Sequence, residues 1–534
     1  MSQLGRRTND WGNHSSVREI ADLVYERHME PEDTLEIAAI LESMGWTDDR
    51  VEKQFGFIDV FQLSSAIWQQ RKHIHMSANE YKQPTRIFVR VRQDLLHFLQ
   101  GTIFALPMAV SIAAMLFLHV SLWSYQYFTV KIATSIAIGT ILSFVSVGGF
   151  MQGIARQAYY YMLQGYFSMA RRITFRFILA GILLSILISI ALLLIDQLFP
   201  ILPMPMIVIA IEYYLSLNAI WLAVTSMYVL RKETIFVLLL SGGIAVVFIG
   251  NKFFHINLIL LQTFAMLLIF LAGIGLVYHF FRKAEQQKEK GIRVRLPRAS
   301  ILVHTTLPYF LYGALYFILL FADRTIAWST HTTFSQYLIL FRGDYEVGLD
   351  FALLSLIIPT GVAEVIVHRL MLDASNSQKQ YLSKQTSQMC QYFVSQYKKS
   401  ILIILGASII SAALDDMLVM WLFGRSGILL HQSVEWTGTT NYVFIIGLIA
   451  YGLLAIGLLN SVVMFSLSRP DFVLSPLLFA IIIDLVTGFL LSRWIGYSNA
   501  VIGLLVGVLL FTFMTTRNVL HVLRSLDYHL YLLS

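Results

Sequence analysis

Apolar positions in this chain come in long unbroken runs, and polar positions collect between them. After Pro84, twelve runs are long enough to be read as bilayer-crossing helices: 96–121, 130–154, 174–196, 203–229, 233–250, 256–280, 300–326, 347–370, 400–423, 441–467, 472–493 and 499–520. A spanning helix needs roughly 20 apolar residues, and an amphipathic surface helix would break such runs with polar positions every turn. The fifth run is short and carries Gly242 and Gly243, which predicts a bend or break there.

Before Pro84 the pattern changes to short amphipathic segments. SVRE, Ser16 to Glu19, reads as a capping box. Asp33 and Thr34 open a helix that Gly45 would close, Thr47 can cap the next, and Asp59 the one after. Three or four short helices follow from this, forming a small soluble helical accessory or docking domain over residues 1–82. Its polarity predicts no cleavable signal peptide.

Composition agrees with the pattern: 57% of the 534 residues are hydrophobic and 13% charged, against about a quarter charged in soluble proteins. The net charge of +7 sits in short loops, where it acts as a topology signal, so nucleic acid is not an expected partner. Cys390 is the single cysteine, which excludes an intrachain disulfide. One set of loops carries Arg156, Arg171, Arg172, Arg176, Arg231, Lys232, the segment RKAEQQKEKGIRVRLPR, Arg369, Lys379, Lys384, Lys398, Lys399 and Arg469. The alternating set carries only Lys131, Lys252, Arg324, Arg342, Arg425 and Arg493. The positive-inside rule places the first set and both termini in the cytoplasm of an inner-membrane protein.

The expected fold class is therefore an all-α polytopic membrane protein of about 12 transmembrane helices in two six-helix halves, 90–280 and 300–522. A basic cytoplasmic linker, 281–299, joins them, and a cytoplasmic tail, 523–534, follows. Pro107 and Pro308 each fall early in the first run of a half, as expected of parallel repeats.

Ionisable groups inside such runs are costly and normally face a bundle interior or a wet cavity. They are Glu212, Asp323, Asp350, Glu364, His368, Asp415, Asp416 and Asp484. Glu212, Asp323, Asp350 and Asp415 fall in the outer third, Asp484 nearest the midplane, and Glu364 and His368 nearer the cytoplasm. Fourteen steps separate Asp350 from Glu364, within roughly 40° of whole turns, and His368 is four further on, so the eighth run carries one polar stripe. In the seventh, Tyr309, Tyr316 and Asp323 recur every seven residues, with Tyr312 on the adjoining face. For Asp323 and Arg324 two readings stay open: a helix end in the headgroup layer, with Arg324 and Arg493 snorkelling, or the lip of a path for polar cargo. Asp484, an isolated midplane carboxylate, needs a partner, water or a proton. With Glu364 and His368 it is the ion- or proton-coupling candidate. Glu212, Tyr309, Tyr312, Tyr316, Asp323, Arg324 and Asp350 are the substrate-path candidates.

No catalytic or metal motif appears, neither HExxH, a P-loop, GxSxG nor paired cysteines, and no cofactor is expected. Four segments resemble the PelG family of exopolysaccharide transporters, within the polysaccharide-flippase and multidrug-exporter (MOP) superfamily: FALPM in the first run, LYFILLFADRTIAW in the seventh, YEVGLDFALLSLIIP opening the eighth, and LRSLDYH after the last. The resemblance covers about residues 90–530, and the first 82 residues are an addition to the family pattern. It implies export of a polysaccharide or lipid-linked glycan, alongside membrane lipids, a cytoplasmic glycosyltransferase and other export subunits. The acids would make an outer vestibule suited to a neutral or amine-bearing glycan. A cation-coupled small-molecule exporter on the same scaffold and a membrane enzyme of glycan assembly remain the alternatives.

Overall fold

The structure, a computed structural model, describes residues 15–27, 31, 33–69, 87–103, 106–123, 128–288, 298–330, 337–380, 386–423, 436–526 and 528. All regular elements among them are helical. Readings that fall on 1–14, 70–86, 289–297 and 529–534, including part of the linker and tail, lie outside the described residues.

Four short helices lead the chain: α1 (Ser15–Arg27), α2 (Thr34–Ser43), α3 (Asp48–Phe55) and α4 (Val60–Gln69). Val17, Ile20, Ala21 and Val24 recur on one face of α1, as do Val60, Leu63 and Ile67 on α4, and these faces meet in a core of their own. The expected caps are largely present. Asp33 accepts from the Glu36 amide at 2.8 Å and Asp59 from the Gln62 amide at 2.7 Å. Gly45 sits past α2 at φ +84°, where a Cβ would be strained. Thr47 occupies its cap position without a side-chain bond, while Asp48 accepts from the Val60 amide at 2.9 Å and ties α3 to α4.

The apolar runs become α5 (Ile87–Ile103), α6 (Leu106–Leu118), α7 (Val130–Leu163), α8 (Phe167–Leu198), α9 (Met204–Val229), α10 (Glu233–Phe254) and α11 (Leu258–Lys288), then α12 (Ala299–Trp328), α13 (Gly343–Leu354), α14 (Ile357–Gln380), α15 (Thr386–Phe423), α16 (Gly438–Ser466), α17 (Asp471–Trp494) and α18 (Ala500–Arg524). Eleven helices are long and apolar enough to cross a membrane, and a bent pair makes up to twelve. That pair is Val91–Ile103 with Leu106–Leu118, at 56°. Pro107 occupies the second position of α6, where its missing N–H has no intrahelical partner to lose.

The helices outrun the apolar windows. α7 has 34 residues, about 50 Å at 1.5 Å per residue, against a hydrocarbon core of about 30 Å. Hydropathy marks the bilayer, whereas backbone hydrogen bonding continues past it. α11 likewise runs into the expected linker as far as Lys288, and α18 into the expected tail as far as Arg524. Two expectations are corrected. α10 is continuous through Gly242 and Gly243; Gly243 lets Ile269 of α11 pack against its backbone. The eighth run turns at Ser355 and Leu356 between α13 and α14, so the stripe from Asp350 to Glu364 does not lie along one straight helix.

In the first half α9 packs on α7, α8 and α11, around Tyr213, Leu217, Ile220, Leu222 and Phe236. Asn218 of α9 accepts from Ser146 at 3.0 Å and donates to Ser185 at 2.9 Å, pinning α7, α9 and α8 by polar bonds inside an apolar interior. α8 turns Leu179, Leu183, Ile186, Leu187, Ile190 and Leu194 outward, the helical spacing of a lipid-facing stripe. In the second half α13 packs on α16 and α12 on α17.

α12 also packs along α7 and so touches both halves. The two backbones touch at glycines: a Cβ on Gly313 would lie 2.1 Å from the Gly148 carbonyl oxygen, and one on Gly148 2.5 Å from that of Gly313. No side-chain rotation relieves a clash with backbone. Gly313→Leu is expected to lose about 3 kcal/mol or more and to lower the melting temperature in detergent, whereas Gly275→Ala, in open space within a helix, is expected to be neutral or stabilising by up to about 1 kcal/mol.

Candidate functional site

α12 carries the longest series of singled-out residues. Its lower part is aromatic. Tyr312 and Tyr316 stack at 6.1 Å and 22°; Phe465 of α16 meets Tyr309 at 5.2 Å and Tyr312 at 4.7 Å. The Arg156 guanidinium lies 5.1 Å above Tyr309 and donates to Ser468 at 2.7 Å. On the adjoining face Phe317 and Phe321 stack with Phe144 of α7, at 5.2 and 5.6 Å, and Phe144 continues to Trp221 of α9 at 5.0 Å.

Further along α12 the aromatic series gives way to charge. Asp323 is fully buried and Arg324 is 4% exposed, and the helix continues past both to Trp328. Both groups sit in the protein interior, and Arg324 turns inward to partners instead of snorkelling. Arg324 pairs with Glu346 and with Asp350 at 2.8 Å, both on α13. Trp328 Nε1 donates to the other Glu346 oxygen at 2.8 Å. Positions 324 and 328 are one turn apart on α12, and 346 and 350 one turn apart on α13, so two helical stripes face each other. The Tyr345 hydroxyl donates to Asp323 Oδ2 at 2.7 Å, leaving Oδ1 buried without a partner.

Across the α12–α17 contact, Asp484 is fully buried and neither oxygen has a hydrogen-bond partner. Asp323 is the charge that acts on it. The small residues Gly503 and Gly507 of α18 press against α17 at Asp484, which seals this side of the carboxylate with backbone. Tyr451 of α16, also fully buried with an unpartnered hydroxyl, interacts electrostatically with Arg324 and Asp323. Four carboxyl groups, Asp323, Glu346, Asp350 and Asp484, therefore share a region with one guanidinium. Among the described residues no set of three or more His, Cys, Asp or Glu side chains is placed to hold a metal ion.

Arg493, a snorkelling candidate by sequence, instead caps the C-terminal end of α12: it donates to the Ser329 carbonyl at 2.9 Å and to the Thr330 hydroxyl at 2.8 Å. Cations at a helix C-terminus meet its free carbonyls and its negative dipole end.

The other candidates lie elsewhere. Glu212, half-buried on α9, accepts from Thr263 of α11 at 2.5 Å and is not among the partners of the α12–α13 cluster. Glu364 is exposed on α14. His368 stacks on His97 at 3.8 Å, with Asp94 and Arg369 paired beside them. Asp415 is buried with Oδ2 unpartnered, while the neighbouring Leu414, Met417 and Leu418 face outward. Sequence reasoning missed Glu346, Tyr345 and Tyr451. Glu346 lay one residue before the expected eighth span, although its spacing of four from Asp350 marks a shared helix face.

No protein-family model matches the chain, and no curated protein does. Solved structures match over most of its length. A MATE transporter of Vibrio cholerae is 16% identical, with TM-score 0.57, over 81% of this chain and 97% of that one. An outward-facing multidrug-resistance MATE family transporter of the MOP superfamily is 13% identical, with TM-score 0.55, over 81% and 96%. A MOP superfamily transporter from Pyrococcus furiosus is 13% identical, with TM-score 0.55, over 80% and 96%. The chain has the MATE transporter fold. At these identities the fold is what is shared. In this MATE-fold chain the charged cluster belongs to α12, α13 and α17, while the polar bonds of Glu212 and Asn218 belong to the first half.

Proposed function

We propose that this protein is a membrane transporter that exports a polysaccharide or its lipid-linked precursor across the cytoplasmic membrane, through a path along α12. The observation that carries this is the aromatic series Tyr309, Tyr312, Tyr316 and Phe465 leading to a buried carboxylate cluster, on the helix that packs against both halves. Aromatic faces with hydroxyl edges suit sugar rings, which present apolar C–H faces and equatorial hydroxyls. The resemblance of LYFILLFADRTIAW and YEVGLDFALLSLIIP to PelG-type segments supports the same cargo.

In this reading Asp323, Arg324 and Asp350 line the far end of the path. Asp484 with Asp323 forms the ion- or proton-coupling pair: two carboxyl groups acting on each other in an apolar interior carry their full charge only at high cost, so loading and unloading a proton or small cation changes which packing is favoured. Glu364 and His368 remain coupling candidates near the inner end, and Glu212 a path candidate of the first half. The positively charged loops support cytoplasmic termini, with residues 1–82 as the docking piece for a glycosyltransferase or other export subunit.

The unpartnered carboxylates favour a second reading, a cation-coupled exporter of small molecules. The two separate by cargo. Tyr312→Ala with Tyr316→Ala is expected to lower secreted polysaccharide about tenfold at normal membrane abundance, each lost stacking face being worth about 1 kcal/mol. Normal secretion with lost drug efflux would sink the glycan reading and leave the exporter.

A further inference from the structure

We propose that the membrane-proximal stretch of α15 together with the end of α18 forms a binding site for a phosphate-bearing ligand, held by Lys398 and Arg524. Residues 386–399, TSQMCQYFVSQYKK, precede the apolar run of α15 and extend it by about 20 Å at 1.5 Å per residue. A cavity of about 630 Å³ opens along this stretch. Thr386, Ser387, Gln391 and Lys398 line it from α15, and Arg524 lines it from the last turn of α18. Positions 387, 391 and 398 are four and seven residues apart, so they form one stripe turned into the cavity.

The chemistry of that lining is one-sided. Among the described residues its charged groups are both cations and no carboxylate lines the cavity. Among the described residues neither Lys398 nor Arg524 is in an ion pair. Three hydroxyls, of Thr386, Ser387 and Ser395, and the Gln391 carboxamide add donors. Two cations sharing one cavity repel each other until an anion enters, and a guanidinium fork beside an ammonium is the pairing that suits phosphate oxygens. The volume lies in the 300–1,000 Å³ range of ligand pockets, so it takes the phosphate together with the glycerol or sugar it esterifies. The site lies where the apolar run begins, at the depth of headgroups, and basic pockets at such positions take anionic lipid headgroups. A soluble phosphate ester offers the same chemistry. Lys399 is adjacent and also exposed but is not among the residues lining the cavity, which makes it the internal control.

Cys390 also lines the cavity and is the only cysteine of the chain, so the unaltered protein carries its own reporter. The full-length protein in neutral detergent is labelled with N-ethylmaleimide in the presence of phosphatidylglycerol, of galactosyl diacylglycerol (similar acyl chains without phosphate) or of inorganic phosphate. Retained lipid is counted by native mass spectrometry. Phosphatidylglycerol is expected to slow labelling at least about fivefold and to be retained, galactosyl diacylglycerol to do neither, and K398Q with R524Q to abolish both effects while K399Q keeps them. Protection by phosphatidylglycerol alone assigns a lipid headgroup, and protection by inorganic phosphate assigns a soluble ester; both support the site. If the double variant melts early, the single variants serve, each weakening protection. Protection and retention that are the same in wild type and variants, or absent with every probe, overturn the proposal.

Discussion

Arg324→Ala is expected to be among the most destabilising single substitutions in the chain, at about 3–5 kcal/mol, with transport lost. The cause is not the attraction it removes but the charges it abandons. Glu346 and Asp350 both terminate on this guanidinium, Glu346 is 2% exposed, and Trp328 is oriented by the same carboxylate. Without Arg324, the buried Glu346 and the half-buried Asp350 both lose this counter-ion. Arg324→Lys is expected to recover part of the loss, because an ammonium is a single point of charge and cannot present a fork to both acids. Combining Arg324→Met with Glu346→Gln and Asp350→Asn is expected to recover most of it, since the two acids that pair with Arg324 are then neutral. Melting temperatures in detergent decide the matter. A single alanine variant that melts with the wild type would mean that these groups do not carry the buried charges argued above.

Asp484→Asn is expected to behave in the opposite way: transport falls about tenfold or more while the melting temperature stays level or rises. Neither oxygen of this fully buried carboxyl has a hydrogen-bond partner, so its removal forfeits no bond and relieves the field of Asp323. Asp323→Asn keeps an acceptor for Tyr345 and is expected to resemble it. The measurement is secreted polysaccharide at matched membrane abundance, beside a melting curve. Unchanged secretion from both variants would remove the pair from the transport path. A sharp drop in melting temperature for Asp484→Asn would show that its carboxylate is held by a bond, contrary to the geometry described here. The contrast between Arg324 and Asp484 is the useful one: both are buried ionisable groups, and the presence or absence of partners reverses the expected sign of the stability change.

The sequence by itself determined the class of this protein and most of its helices. Uniform apolar runs permit only membrane-spanning helices, because every backbone polar group in hydrocarbon must be satisfied within its own segment. It also determined the aromatic series on α12, since Tyr309, Tyr312 and Tyr316 lie within one helix and a period of 3.6 sets their phase without reference to any neighbour. Helix ends and breaks were less legible. The interruption at Ser355 and Leu356 follows from Pro359, which has no N–H for the Ser355 carbonyl four residues back but does not fix where the helix resumes, and α7 and α11 continue beyond the hydrocarbon where hydropathy falls silent.

What only the tertiary structure decided is which polar groups meet. Asp323 and Arg324 are neighbours in sequence, yet a helix turns about 100° between them, so Asp323 meets Tyr345 while Arg324 meets Glu346 and Asp350. Glu212 was grouped with them by depth alone, but lies against Thr263 in another part of the bundle. Depth along a membrane helix is written in its own residues. The facing partner depends on crossing angles and on close approaches such as Gly148 with Gly313, which arise only when helices far apart in the chain are packed together.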